Sequence, residues 1–115
     1  MMIDYHNKKF AGVSNSESGE VSGATIFHYQ VEGSMLKGSY SGGEISEGQL
    51  LGVIHQDDTL EFLYQHINND GVLKAGRCKS KPEILPNGSI RLYESWHWFD
   101  ENSSKGTSVL EELLE

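Results

Sequence analysis

The stretch Ser89-Ile90-Arg91-Leu92-Tyr93-Glu94-Ser95-Trp96-His97-Trp98-Phe99 alternates by twos from end to end. Ile90, Leu92, Glu94, Trp96 and Trp98 share one face, and Arg91, Tyr93, Ser95, His97 and Phe99 share the other, which is the pattern of a strand with two unlike sides. Thr59-Leu60-Glu61-Phe62-Leu63-Tyr64-Gln65-His66-Ile67 repeats it, with Leu60, Phe62, Tyr64 and His66 opposite Glu61 and Gln65. Both runs are rich in aromatic and β-branched residues, which suit a pleated surface.

Working outward, turn signals punctuate the chain at short intervals: Glu32-Gly33-Ser34, Glu47-Gly48, Gln56-Asp57-Asp58, Asn69-Asp70-Gly71 and Asn87-Gly88. Each contains residues that accept positive φ or bond their own backbone. The implied strands run over residues 5–12, 22–32, 35–46, 49–56, 59–67, 72–84, 89–100 and 105–112. Eight strands of ~10 residues leave connections of ~5 residues, the spacing of antiparallel hairpins. Closing such a meander removes its exposed edges, so the expected fold is all-β, an eight-stranded antiparallel up-and-down barrel over residues 1–115. Residues 113–115 are expected to form a disordered or vector-derived tail. A sandwich would need a long crossover, and the longest candidate, Ser14 to Val21, reads as a flexible first loop.

Gly38, Gly42 and Gly43 interrupt the third predicted strand. The preferred reading is that they bend it for closure; the alternative is that Gly42-Gly43 is itself a two-residue turn. A phosphate loop is not expected, because Glu44-Ile45-Ser46-Glu47-Gly48 does not continue as a helix. Val109-Leu110-Glu111-Glu112-Leu113-Leu114 has the only helix-like composition and is read as the closing strand in preference to a helical turn.

The chain has 115 residues, 37% of them hydrophobic, with nine basic and seventeen acidic side chains and a net charge of −8. Four Phe, five Tyr and two Trp against two prolines indicate one folded domain. Scattered basic residues argue against nucleic acid, and Arg77-Cys78-Lys79-Ser80-Lys81 reads as the solvated face of a strand rather than a polyanion site. The acidic balance also disfavours anionic membrane. No apolar leader opens the chain and no run approaches a membrane span, so a cytoplasmic protein is expected. Cys78 is the only cysteine, which excludes an internal disulfide.

In a small barrel, polar residues on inward faces are the informative ones. If Ile90, Leu92, Trp96 and Trp98 face inward, so does Glu94, a carboxylate between aromatic walls. Tyr64, His66 and Arg77 are its expected partners, although the parity of the sixth strand is ambiguous: Lys74 and Cys78 share one face, and Leu73, Ala75 and Arg77 the other. The expected ligand-binding set is Tyr40, Tyr64, His66, Glu94, Trp96 and Trp98, with Glu94 also the catalytic candidate. The competing reading is that the tryptophans plug the barrel and Glu94 belongs to a buried polar pair. Tyr40 has its own alternative, covering a glycine gap on the neighbouring strand.

No metal or cofactor is expected: His6, His28, His55, His66 and His97 fall singly on separate strands, and one cysteine cannot build a structural zinc site. Cys78 is expected to be a buried thiol rather than a nucleophile.

Four motifs carry a resemblance: Gly38-x-Tyr40-x-Gly42-Gly43-x-Ile45-x-x-Gly48-x-Leu50-Leu51-Gly52, Glu61-Phe62-x-Tyr64-x-His66-x-Asn68, Cys78-x-Ser80-x-Pro82-Glu83 and Arg91-Leu92-x-Glu94-x-Trp96-x-Trp98. From Ile26 to Phe99 the chain resembles a group of small bacterial proteins that often carry the label N-acetylglutamate synthase. The resemblance implies a barrel of the avidin and lipocalin (calycin) kind. The label itself lacks support in the residues, since no Arg/Gln-x-x-Gly-x-Gly/Ala precedes a helical run that would hold the acetyl-CoA pyrophosphate. The expected function is binding of a small apolar or amphipathic molecule at the barrel mouth. The alternatives are a proton-shuttling lyase or isomerase using Glu94 with Tyr64 and His66, and a homodimer through Leu63, Ile67, Tyr93 and Phe99.

Overall fold

Alternation along the chain becomes alternation across a closed wall. A computed structural model describes residues 2–16 and 19–114. Its strands are β1 (Lys8–Asn15), β2 (Ile26–Glu32), β3 (Met35–Gly42), β4 (Ile45–Ile54), β5 (Leu60–Asn68), β6 (Leu73–Ile84), β7 (Ile90–Trp98) and β8 (Lys105–Glu112). Each pairs antiparallel with its successor, and β8 returns to β1, which closes an up-and-down barrel. Val109 to Glu112 belong to the closing strand. Leu113 N still donates to Lys9 O, while residue 115 of the expected tail lies outside the described residues. Among the described residues no helix is long and apolar enough to cross a membrane.

The faces of β5 and β7 match their sequence alternation. Leu60, Phe62, His66 and Asn68 are buried along β5, and Ile90, Leu92, Glu94, Trp96 and Trp98 along β7. The parity of β6 is settled by its pairing: Gly76, Cys78 and Ser80 are buried, while Arg77, Lys79 and Lys81 project outward. Arg77 is therefore no partner of Glu94; it pairs with Glu61 on the outer surface. Leu63, Ile67, Tyr93 and Phe99 are all exposed on the outer wall, where Leu63 lies opposite Arg77, Tyr93 opposite Lys81 and Ile67 opposite Leu73, and Phe99 N donates to Ala75 O.

Neither expectation for Gly42-Gly43 holds whole: Gly42 lies in β3 at a register shift between Tyr40 and Gly42, and Gly43 opens the turn. Both take positive φ, 110° and 65°; Gly42 is the last residue of β3, paired with Ile45, and Gly43-Glu44 make the two-residue turn to β4. A glycine with positive φ at the first turn position fits the twist of a two-residue hairpin. Glu47-Gly48, expected as a turn, lies inside β4; the irregularity there is a register shift between Ile45 and Glu47. The first strand is also displaced from 5–12 to 8–15, because the segment before it has another task.

That segment closes one end of the barrel. Tyr5 is 1% exposed, and its hydroxyl donates to Asp58 O at 2.6 Å. Asp58 Oδ1 accepts from the backbone N–H groups of Met2 and Ile3, and His6 Nδ1 accepts from Val31 N. Burying an aromatic side chain of this size contributes about 2–3 kcal/mol, enough to hold a short segment in place. The opposite end, ringed by the β1–β2, β3–β4, β5–β6 and β7–β8 connections, is the mouth.

Glycines set the space within the wall. Tyr40 lies opposite Gly48, Tyr64 opposite Gly76 and Trp96 opposite Gly106 on the neighbouring strands. A Cβ on any of these glycines would come within 2.3–2.5 Å of the facing side chain. Large rings thus lie flat over bare backbone on the inside of the barrel.

Candidate functional site

The six side chains Tyr40, Tyr64, His66, Glu94, Trp96 and Trp98 line one cavity of about 40 Å³ at the mouth end. Phe27 and Phe62 complete its apolar wall. Tyr40 stacks on Phe27 with ring centroids 4.8 Å apart while covering Gly48, so it does both of the things its sequence context suggests. Trp98 meets Tyr64, His66 and Trp96 at centroid distances of 5.4, 5.5 and 5.7 Å. A cavity of this size holds one to a few waters, far short of the several hundred Å³ of a ligand pocket, so the aromatics fill most of the interior.

The expected cluster divides into two. Glu94 is bonded neither to Tyr64 nor to His66. Its two oxygens accept from Ser80 Oγ at 3.1 Å and Ser108 Oγ at 3.0 Å. Register explains this, since Ser80 and Ser108 are the residues directly opposite Glu94 on β6 and β8. The backbone of Glu94 lies ~13 Å further down β7 than that of Trp98, four residues at the rise of a strand. Burial raises its pKa above the ordinary range, and the hydroxyl bonds only partly offset this. A neutral carboxylic acid with hydroxyl neighbours satisfies its hydrogen bonds without a counter-ion. Nearby, burial first and the neighbouring Glu94 carboxyl second push the Cys78 thiol well up, so it is not an activated nucleophile.

The second cluster is at the rim, and its organising residue is Glu20, which sequence reasoning missed. Glu20 Oε1 lies 2.7 Å from His66 Nε2, and Oε2 lies 2.9 Å from Asn68 Nδ2 and 3.5 Å from Lys74 Nζ. On the far side of the imidazole, Tyr40 OH is 2.9 Å from His66 Nδ1. With Glu20 ionised, Nε2 carries the proton and donates to it, which leaves Nδ1 to accept from Tyr40. Burial pushes the Glu20 carboxyl up, but the bonds from His66 and Asn68 and the adjacent Lys74 charge outweigh it and hold the group below its usual range. Burial, with Tyr64 and Glu94 nearby, keeps the Tyr40 hydroxyl protonated, and burial does the same for Tyr64. Tyr64 OH makes one long bond, 3.4 Å, to His97 O.

The strand residues of this rim cluster are positioned before Glu20 is considered. Asn68 Oδ1 accepts from Asp70 N and Val72 N in the β5–β6 turn, so its amide group points to the mouth. Lys74 Nζ lies 4.9 Å from the centroid of the Trp98 ring, a cation–π contact that holds the ammonium over the same opening. Lys74 shares the inward face of β6 with Cys78, which the parity argument allowed. Glu20, in contrast, comes from the β1–β2 connection, where no period reports direction.

Among the described residues, no group of three or more His, Cys, Asp or Glu side chains is placed to share a metal ion. No curated protein and no solved structure matches the chain. The closed eight-stranded barrel agrees with a family model, described as avidin-like protein, that matches residues 3–113, and the chain belongs to the avidin-like family.

Proposed function

We propose that the protein binds one small amphipathic molecule at the mouth of the barrel. The observation that carries this reading is the placement, at a single open end, of an aromatic wall beneath a ring of oriented polar groups. Apolar walls with a few convergent polar groups are the usual form of a small-molecule site. The opposite end is stoppered by Tyr5, so binding is confined to the mouth. The small volume of the cavity supports entry only with a rearrangement of the rim.

A proton-shuttling enzyme is the second reading, favoured by the chain of contacts Glu20, His66, Tyr40. Both imidazole nitrogens are already engaged in it, and Glu94 is separate from it, so binding is the better supported reading. The test is a small-molecule library scored by native mass spectrometry and by Trp96 and Trp98 fluorescence. One-to-one adducts that quench tryptophan, and that weaken about tenfold or more in Trp98→Ala, are expected. A library that yields no adduct would refute the binding reading.

A further inference from the structure

The rim cluster names the polar end of that molecule. Glu20 is anchored by three donors, and all three belong to the wall: His66 and Asn68 on β5 and Lys74 on β6. Each also has a contact that does not involve Glu20: Tyr40 OH for His66, the turn N–H groups of Asp70 and Val72 for Asn68, and the Trp98 ring for Lys74. The His66 side chain is 1% exposed and that of Glu20 is 15% exposed, so the donors are built into the wall and the carboxylate is laid over them from the mouth. Two N–H donors aimed at separate oxygens, with an ammonium beside one of them, match a planar carboxylate better than a neutral amide, which would set its own N–H against one of the donors.

Resting on the small-ligand reading, we propose that the mouth is a carboxylate-recognition site whose tethered occupant is Glu20, and that the ligand is a small monocarboxylate with an apolar or aromatic body. The ligand carboxylate replaces that of Glu20 on His66, Asn68 and Lys74, and the body lies against Trp98, Trp96 and Tyr64. Volume requires the exchange, since the roughly 40 Å³ beneath Glu20 is too small for such a body while Glu20 and Val21 line its entrance. A tethered carboxylate acts at an effective concentration of about millimolar, so it masks the site from weak acids and yields to a ligand that adds apolar contact.

The experiment uses the full chain and three acids, hexanoate, 4-phenylbutyrate and indole-3-butyrate, each beside its primary amide, in calorimetry and tryptophan fluorescence. Glu20→Ala is expected to bind at least one acid about tenfold or more tightly than the unmodified chain, with the corresponding amide changing by less than about threefold. Adding Lys74→Met or Asn68→Ala to Glu20→Ala is expected to bring the acid back to the level of its amide. If acid and amide gain equally, or if neither gains, the carboxylate assignment is overturned while small-ligand binding stands. If no acid or amide binds either protein, both readings fall. Circular dichroism of each variant guards against loss of the fold.

Discussion

Glu20 at the rim and Glu94 in the interior are the same residue type in one small barrel, held in opposite ways. Glu20 meets an imidazole, an amide and an ammonium, and its carboxyl is held low. Glu94 meets two serine hydroxyls and a thiol, with no cation among the described residues in contact, and its carboxyl is raised. Depth alone would push both upward; the rim escapes because it supplies charge and oriented N–H donors along with burial. The comparison separates two uses of a buried acid. One raised by burial is bonded to hydroxyls across adjacent strands, and one held low lies among oriented N–H donors and an ammonium at the rim.

The largest effect should come from stripping Glu94 of its partners. Ser80→Ala and Ser108→Ala are each expected to cost about 1–3 kcal/mol at pH 7 by urea unfolding, because the carboxyl loses a donor it cannot replace. An unchanged midpoint in the double variant would show that the hydroxyls do not support this acid.

Next is the pH response of Glu94 itself. Its folded pKa lies above the ordinary value of 4.5, so as pH rises past 4.5 the unfolded chain releases a proton that the folded chain keeps. Stability should therefore fall between 4.5 and the folded pKa, by up to about 1.4 kcal/mol per pH unit, relative to Glu94→Gln. Parallel pH profiles for the two proteins would refute a protonated Glu94.

Glu20 should give the smallest effect, with the opposite sign. Its lowered pKa adds stability that is present above 4.5 and lost as pH falls through the folded value. Solvent at the mouth screens the pair, so Glu20→Gln is expected to lose only about 0.5–1 kcal/mol near neutrality. That difference should vanish in acid. A difference that persists at pH 3 would mean that Glu20 acts through packing rather than charge.

The two acids also differ in how readily the sequence discloses them. Glu94 sits in a run of strict alternation, so its inward direction follows from Ile90, Leu92, Trp96 and Trp98 beside it. Its partners needed one fact more, the register that sets Ser80 and Ser108 opposite it. Without that, β6 could present either Arg77 or Cys78 to the core. Glu20 lies in a connection, where direction is decided by where the chain must cross the mouth and local pattern is silent. The glycines show the same limit: that Gly42 ends β3 while Gly43 opens the turn is decided by the pairing of Gly42 with Ile45, which composition does not report.

The stopper at Tyr5 has a kinetic consequence. A tube with one end sealed offers a single route, so a molecule leaving the cavity retraces the path by which it arrived and meets the same obstacle at Glu20. Easing that obstacle accelerates arrival and departure together. For a guest bound as proposed, changes at the rim that leave the wall contacts intact would therefore tune how long it takes to exchange, while Trp96 and Trp98 would set how firmly it is held.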